Sequence, residues 1–220
     1  MSDLAGFTAR PRPQRVVLEG RYCRLEPLDA ARHAATLFAA SSGPGAEERF
    51  RYLAEPAPDE AAFAAWIDRA ARSDDPLFHA VVDRASGHAE GRQSYLRTTP
   101  EHGVIEIGHV LWGPGIARTR VATEALGLYA AHAFDVLGYR RFEWKCDARN
   151  EPSRRAALRF GFTYEGTFRQ HMVVRGQNRD TAWFAMTDGE WPAIRERLAA
   201  WLEPSNFDEA GRQGTPLGRC

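Results

Sequence analysis

A chain of 220 residues and 24.6 kDa has the length of one compact domain, which excludes a second full catalytic unit. Hydrophobic residues make up 44% and charged residues 26%, the balance of a chain that buries its own core without metal or disulfide staples. Lys+Arg and Asp+Glu both total 29, so no net field gathers nucleic acid or anionic lipid, and neither is expected as a partner.

Cys23, Cys146 and Cys220 lie far apart with no C-x-x-C pair. That argues against a disulfide framework or a zinc knuckle, and no metal is expected. A reducing cytoplasm is the expected compartment. The opening residues hold no apolar core of signal length, and no run reaches the ~18 apolar residues of a membrane span.

Residues 1–15, with Pro11 and Pro13 among arginines, read as a loose lead-in, 16–202 as a single domain and 203–220 as an irregular tail. Strand 22–28 precedes an alanine-rich helix over 30–40, which the SSGPG run at 41–45 breaks. A second helix fits 59–72, where Phe63, Trp66, Ile67 and Ala70 share one face and Asp59 and Glu60 sit at the positive end. Strands 77–83 and 88–97 join at Ser86-Gly87, and strand 104–111 follows the turn from Pro100 to Gly103. The longest helix covers 120–137, with Ala122, Ala125, Leu126, Tyr129, Ala133 and Leu137 as its apolar stripe and Gly138 placed to end it.

Strand 142–146 follows, then a short helix capped by Asn150 and ended by Gly161. Strands 162–171 and 182–187 flank a polar loop, RGQNRD, and a last helix spans 190–202. One helix crossing over after three antiparallel strands predicts an α/β (α+β) chain, its mostly antiparallel sheet holding a parallel pair near the centre.

Gly113-Pro114-Gly115 precedes no Gly-Lys-Ser/Thr and lacks the third glycine of a dinucleotide fingerprint; neither Gly-x-Ser-x-Gly nor His-Glu-x-x-His occurs. In EIGHVLWGPGIARTRVATE, Glu106 to Glu124, a strand runs through a Gly/Pro loop and an Arg-Thr-Arg turn into the longest helix. Unpaired amides and the helix dipole make such a start a seat for phosphate, and Arg118 and Arg120 add charge. A surface loop with solvated arginines is the structural alternative. Asn150-Glu151-Pro152-Ser153, read alone, is what any helix start prefers.

GHVLW, ARTRVATEA, FDVLGYRRFEWKCDARNEPSRRAALRFGFTYEGTFRQ and NRDTAWF together resemble the GCN5-related N-acetyltransferase (GNAT) superfamily, and within it the RimJ/RimL-like branch. The resemblance implies the GNAT fold, a mixed sheet flanked by helices in which two parallel strands, 104–111 and 141–147, splay around acetyl-CoA. It implies that the backbone of Val110, Leu111 and Trp112 pairs with pantetheine. The amides of Ala117, Arg118, Thr119, Arg120, Val121, Ala122 and Thr123 would hold the pyrophosphate, and Asn150 and Ser153 would reach the pantetheine arm and the sulfur. The family's loop pattern is Gln/Arg-x-x-Gly-x-Gly/Ala, from which Ala117 and Arg120 depart. Arg120 then either keeps a helical backbone and points outward or brings its guanidinium to the diphosphate.

By the same resemblance Glu106 is the general base and Ser153 a donor to the leaving thiolate. His109 competes with Glu106: a regular strand puts them on opposite faces, whereas a bulge brings both to one side. Direct attack by the amine is expected, an acyl-cysteine at Cys146 being the lesser route. Phe168, Trp183 and Phe184 are expected to pack rather than line an acceptor pocket. The implied activity is transfer of acetyl from acetyl-CoA to a primary amine, which the branch makes a protein N-terminus. A small-molecule amine acetyltransferase and a non-catalytic acyl-CoA sensor are the alternatives, and a homodimer is the assembly that relatives suggest.

Overall fold

The structure, a computed structural model, describes residues 4–218, so Cys220 lies outside the described residues. Its strands are β1 (Leu18–Glu19), β2 (Cys23–Pro27), β3 (Leu77–Asp83), β4 (Ala89–Thr99), β5 (Val104–Trp112), β6 (Arg141–Asp147), β7 (Thr163–Val174) and β8 (Gln177–Thr187). They form one sheet in the order β1-β2-β3-β4-β5-β6-β8-β7. Neighbours are antiparallel except β5 and β6, which run parallel as the crossover requires.

The helices are α1 (Ala30–Ser41), α2 (Ala46–Phe50), α3 (Glu60–Arg72), α4 (Arg120–Ala131), α5 (Glu151–Phe160) and α6 (Trp191–Trp201). On one face of the sheet α4, α5 and α6 bury Leu126, Tyr129, Ala157, Ile194 and Leu198 against Tyr95, Ile105, Ile107 and Phe142. On the other, α1 and α3 bury Leu37, Phe63 and Ile67 against Phe78, Ala80 and Val82. Asp29 and Asp59 cap these two helices, accepting from the amides of Arg32 and Ala62.

Glu124 ties α4 to the sheet edge. Its buried carboxylate accepts from the amides of Arg21, Tyr22 and Cys23 at 2.7, 2.6 and 2.8 Å. Gly20 makes room, since a Cβ there would lie 2.5 Å from that carboxylate.

Two expectations need correction. The longest helix stops at Ala131, and a π turn over His132–Val136 replaces its last turns, carrying Ala133 and Phe134 into the core. The 175–180 stretch is no loop: Arg175 and Gly176, at φ 49 and 73, form a two-residue turn, and Val174 pairs with Gln177 directly. Much of this hairpin is exposed, so apolar alternation is absent and a polar strand reads as loop. Helix α2 and strand β1 are too short to leave a periodic signal.

The segments outside the domain core carry little regular structure but are tied down. Arg10 N donates to Pro100 O, and Tyr139 Oη donates to Pro11 O. In the tail, Trp201 Nε1 donates to Gln213 Oε1, and Leu217 is buried.

Candidate active site

Strands β5 and β6 pair from Val104↔Arg141 to Ile107↔Trp144 and no further, although β5 runs on to Trp112 and β6 to Asp147. Just beyond the last pair, β4 meets β5 through Ser94↔Gly108 and then Arg92↔Leu111, which sets Gln93 against both His109 and Val110. His109 sits at φ 49 in this bulge. A bulge bends and twists its strand, and here it accompanies the parting of the two parallel strands into a V.

The bulge also decides which side chains share a face. Ile105 and Ile107 enter the core beneath α4, so Glu106 points to the opposite face. His109 lies there too, its ring 5.2 Å from Phe78, whose β-partner Ser94 pairs in turn with Gly108. Burial holds the imidazole below its usual range, the Arg92 charge adding to that effect. Glu106 and His109 therefore stand on the same side of the sheet.

Glu106 is only 5% exposed. Its Oε2 meets Lys145 Nζ at 2.8 Å and Arg97 Nη1 at 3.7 Å, while Oε1 has no hydrogen-bond partner among the described residues. Burial raises its pKa above the carboxylate range, opposed in part by the Lys145 charge. Lys145, the single lysine of the chain, also pairs with Glu143 at 2.7 Å and lies 3.6 Å over the Trp183 ring. Phe168, half exposed, stacks on Trp183 at 4.6 Å, whereas Phe184 is buried. Of the three aromatics expected to pack, Phe184 does so fully, and the other two form a platform beside Lys145.

At the start of α4 the amides alternate. Those of Ala117, Thr119, Val121 and Thr123 are bonded, to Gly113 O, Ile116 O, Thr119 Oγ1 and Thr119 O. Those of Arg118, Arg120 and Ala122 have no partner among the described residues, leaving the donors that an anion at a helix start needs. Of the two arrangements open to Arg120 the outward one is found: its guanidinium stacks 4.5 Å over Tyr22 and 5.3 Å over Phe207. Arg118 takes the left-handed conformation, at φ 64.

Asn150 caps α5, its Oδ1 accepting from Ser153 N at 3.2 Å. Ser153 Oγ accepts from Trp144 Nε1 at 2.9 Å, and its own hydroxyl is turned to the Cys146 sulfur. Trp144 and Cys146 both face the α5 side, opposite Lys145. Ser153 and Glu106 thus stand on opposite faces of the sheet, and the V between β5 and β6 is the passage between them. Burial pushes the Cys146 thiol up, away from the thiolate an acyl-cysteine route needs.

The structure thus sets Glu106 and His109 on the same side of the sheet, places Val110 to Trp112 along the open edge of β5, and puts Asn150 and Ser153 across the gap. Lys145, Arg97 and Trp183 were absent from the sequence-based site; an isolated lysine in a chain of arginines is the signal that marks the first of them. Among the described residues no cluster of His, Cys, Asp or Glu is arranged to hold a metal ion, and no helix is long and apolar enough to cross a membrane.

The profile of the acetyltransferase (GNAT) domain family matches residues 23–163. The crystal structure of a GCN5-related N-acetyltransferase from Brucella melitensis is similar over 97% of both chains, with 57% identity and a TM-score of 0.95. A GNAT-family structure from Chromobacterium violaceum shares 43% identity over 87% of this chain and 96% of its own, at a TM-score of 0.80. A candidate ribosomal-protein-serine acetyltransferase from Vibrio cholerae, 17% identical over 78% of this chain and 97% of its own with a TM-score of 0.67, shows likeness of fold alone. No curated protein matches the chain.

Proposed function

This chain belongs to the GNAT acetyltransferase family, and from that premise we propose that it moves an acetyl group from acetyl-CoA to a primary amine by direct attack. The observation that carries the reading is the V between β5 and β6, with unpaired helix amides at one side and a buried carboxylate at the other. The residues fit acetyl-CoA. Unbonded amides at Arg118, Arg120 and Ala122 suit a diphosphate, and the unpaired edge of β5 from Gly108 to Trp112 suits an amide-bearing arm.

When bound, acetyl-CoA supplies the activated acyl group. Glu106, with Oε1 unengaged and its pKa raised, accepts the proton of the incoming amine. Ser153, whose hydroxyl otherwise serves the Cys146 sulfur, turns its proton to the departing sulfur. Holding the amine in line with the acyl carbon supplies most of the rate.

A protein N-terminus, as in the RimJ/RimL-like branch, is the first acceptor we assign. Stripping its proton at pH 7 costs about 1 kcal/mol, against about 4.6 for a lysine. A small amine is the second reading, favoured by a cavity of about 500 Å³ at the end of β6. Release of free thiol from acetyl-CoA over a panel of peptides and small amines tests the function, wild type against Glu106→Gln. Acceptor-dependent thiol that falls in the variant supports it; tight acetyl-CoA binding without such thiol would instead indicate a sensor.

A further inference from the structure

Four arginines gather where β6 ends. The cavity of about 500 Å³ there is lined by Arg51, Arg149, Arg175 and Arg179 with Tyr52 and Asp147. Its walls come from three places in the chain and are bonded to one another. Tyr52 Oη donates to Arg149 O at 3.1 Å, and Arg175 Nη2 donates to the Arg51 carbonyl at the tip of the β7–β8 hairpin.

The charges do not cancel. Asp147 spends both oxygens on Arg149, which donates from Nε at 3.1 Å, Nη2 at 2.9 Å and its amide at 2.9 Å. Arg51 meets only the exposed Glu48, at 3.4 Å. Arg175 and Arg179 have no carboxylate within 4.0 Å among the described residues, and Arg179 Nε is buried without a hydrogen-bond partner there. Asp180, next to Arg179 in sequence, alternates away from it along β8 and accepts from the Gln170 amide and Asn178. Arginines without a carboxylate partner around an open cavity match the geometry of carboxylate or phosphate oxygens.

The cavity adjoins the proposed base. Lys145 pairs with Trp183 and Asp147 with Thr181, so Lys145 and Asp147 share one face of β6 and Trp183, Thr181 and Arg179 share the same face of β8. Two strand residues span about 7 Å, which is the step from the Glu106–Lys145 pair to the cavity. His171, bonded to Thr181 at 2.9 Å, lies between them, and burial first, then the charges of Arg97, Arg179 and Lys145, lower its pKa.

We propose that this cavity binds an anionic group of the acceptor, carboxylate or phosphate, set roughly two strand residues from the reacting amine. The inference rests on the acetyltransferase reading and narrows it to amines that carry a negative charge.

Matched acceptors test it: one primary amine scaffold bearing a carboxylate, a phosphate or a neutral amide at the same separation, assayed by thiol release with wild type, Arg179→Gln and Arg179→Lys. The anionic members are expected to exceed the amide about tenfold or more in kcat/KM. That ratio should collapse in Arg179→Gln, through KM, and partly return in Arg179→Lys. The better of carboxylate and phosphate identifies the group. An amide as good as the anions, or a preference that survives Arg179→Gln, overturns the proposal while leaving the acetyltransferase standing. If no amine is acetylated, titration calorimetry with succinate and with inorganic phosphate decides: binding weakened by Arg179→Gln upholds the anion site without the reaction, and binding unchanged by it overturns the site.

Discussion

Glu106 Oε2 and Lys145 Nζ lie 2.8 Å apart, each side chain only 6% exposed. The ammonium favours the ionised carboxylate, while burial favours the neutral acid and prevails, so the Glu106 pKa stands above the ordinary carboxylate range. The acid limb of kcat/KM should therefore fall at a pH above that range. In Lys145→Met the opposing charge is gone, and the limb should move to still higher pH. Glu106→Gln should lower kcat by about 10²-fold or more and abolish the limb. A limb that ignores the Lys145 change would move the base role to His109.

Arg120 occupies the first turn of α4, and Thr119 before it is extended, at φ −106 and ψ 177. Proline is tolerated at such a position, and an extended residue is what proline asks of its predecessor. Arg120→Pro therefore deletes one unbonded amide without breaking the helix. Its Kd for coenzyme A should rise about tenfold over that of Arg120→Ala, which loses only the side chain. Calorimetric titration of both variants reads the difference; equal constants would mean that this amide meets no phosphate.

His79 is buried, with Nδ1 2.8 Å from Tyr129 Oη and Nε2 3.1 Å from Val16 O. Burial lowers its pKa to about 4 from 6.5. The unfolded chain thus takes up a proton as pH falls below 6.5 while the folded chain does not, so stability drops from there towards pH 4, by about 3 kcal/mol in all. Thermal denaturation of His79→Gln across pH 4–7 should show a flatter dependence than wild type.

Glu124→Ala would strand the amides of Arg21, Tyr22 and Cys23, all of which its carboxylate now satisfies. The loss should be about 3 kcal/mol in urea unfolding, with Glu124→Gln losing less because its amide oxygen still accepts.

How far the fold was legible depended on burial. Helix α3 shows its apolar face at helical spacing because Phe63, Ile67 and Ala70 are buried and their neighbours are wet. The β7–β8 hairpin gives no such contrast where Gln170 and residues 175–178 are exposed, and only the Arg175-Gly176 pair marks its turn. The unbonded amides were legible where they lay within one segment, as at Arg118 to Thr123. Lys145 and Glu106 stand 39 residues apart, and their meeting depends on strand register. The cavity arginines depend on it still more, since Arg51 meets the site through contacts of its segment with both the hairpin tip and Arg149.

Holding its single lysine between Glu106 and Glu143 leaves the folded chain without an accessible ε-amine of its own. On the proposed use of acetyl-CoA, that burial keeps the thioester from acylating the chain's own lysine. Amine-directed dyes or crosslinkers should spare Lys145 in the folded protein until denaturant opens the sheet.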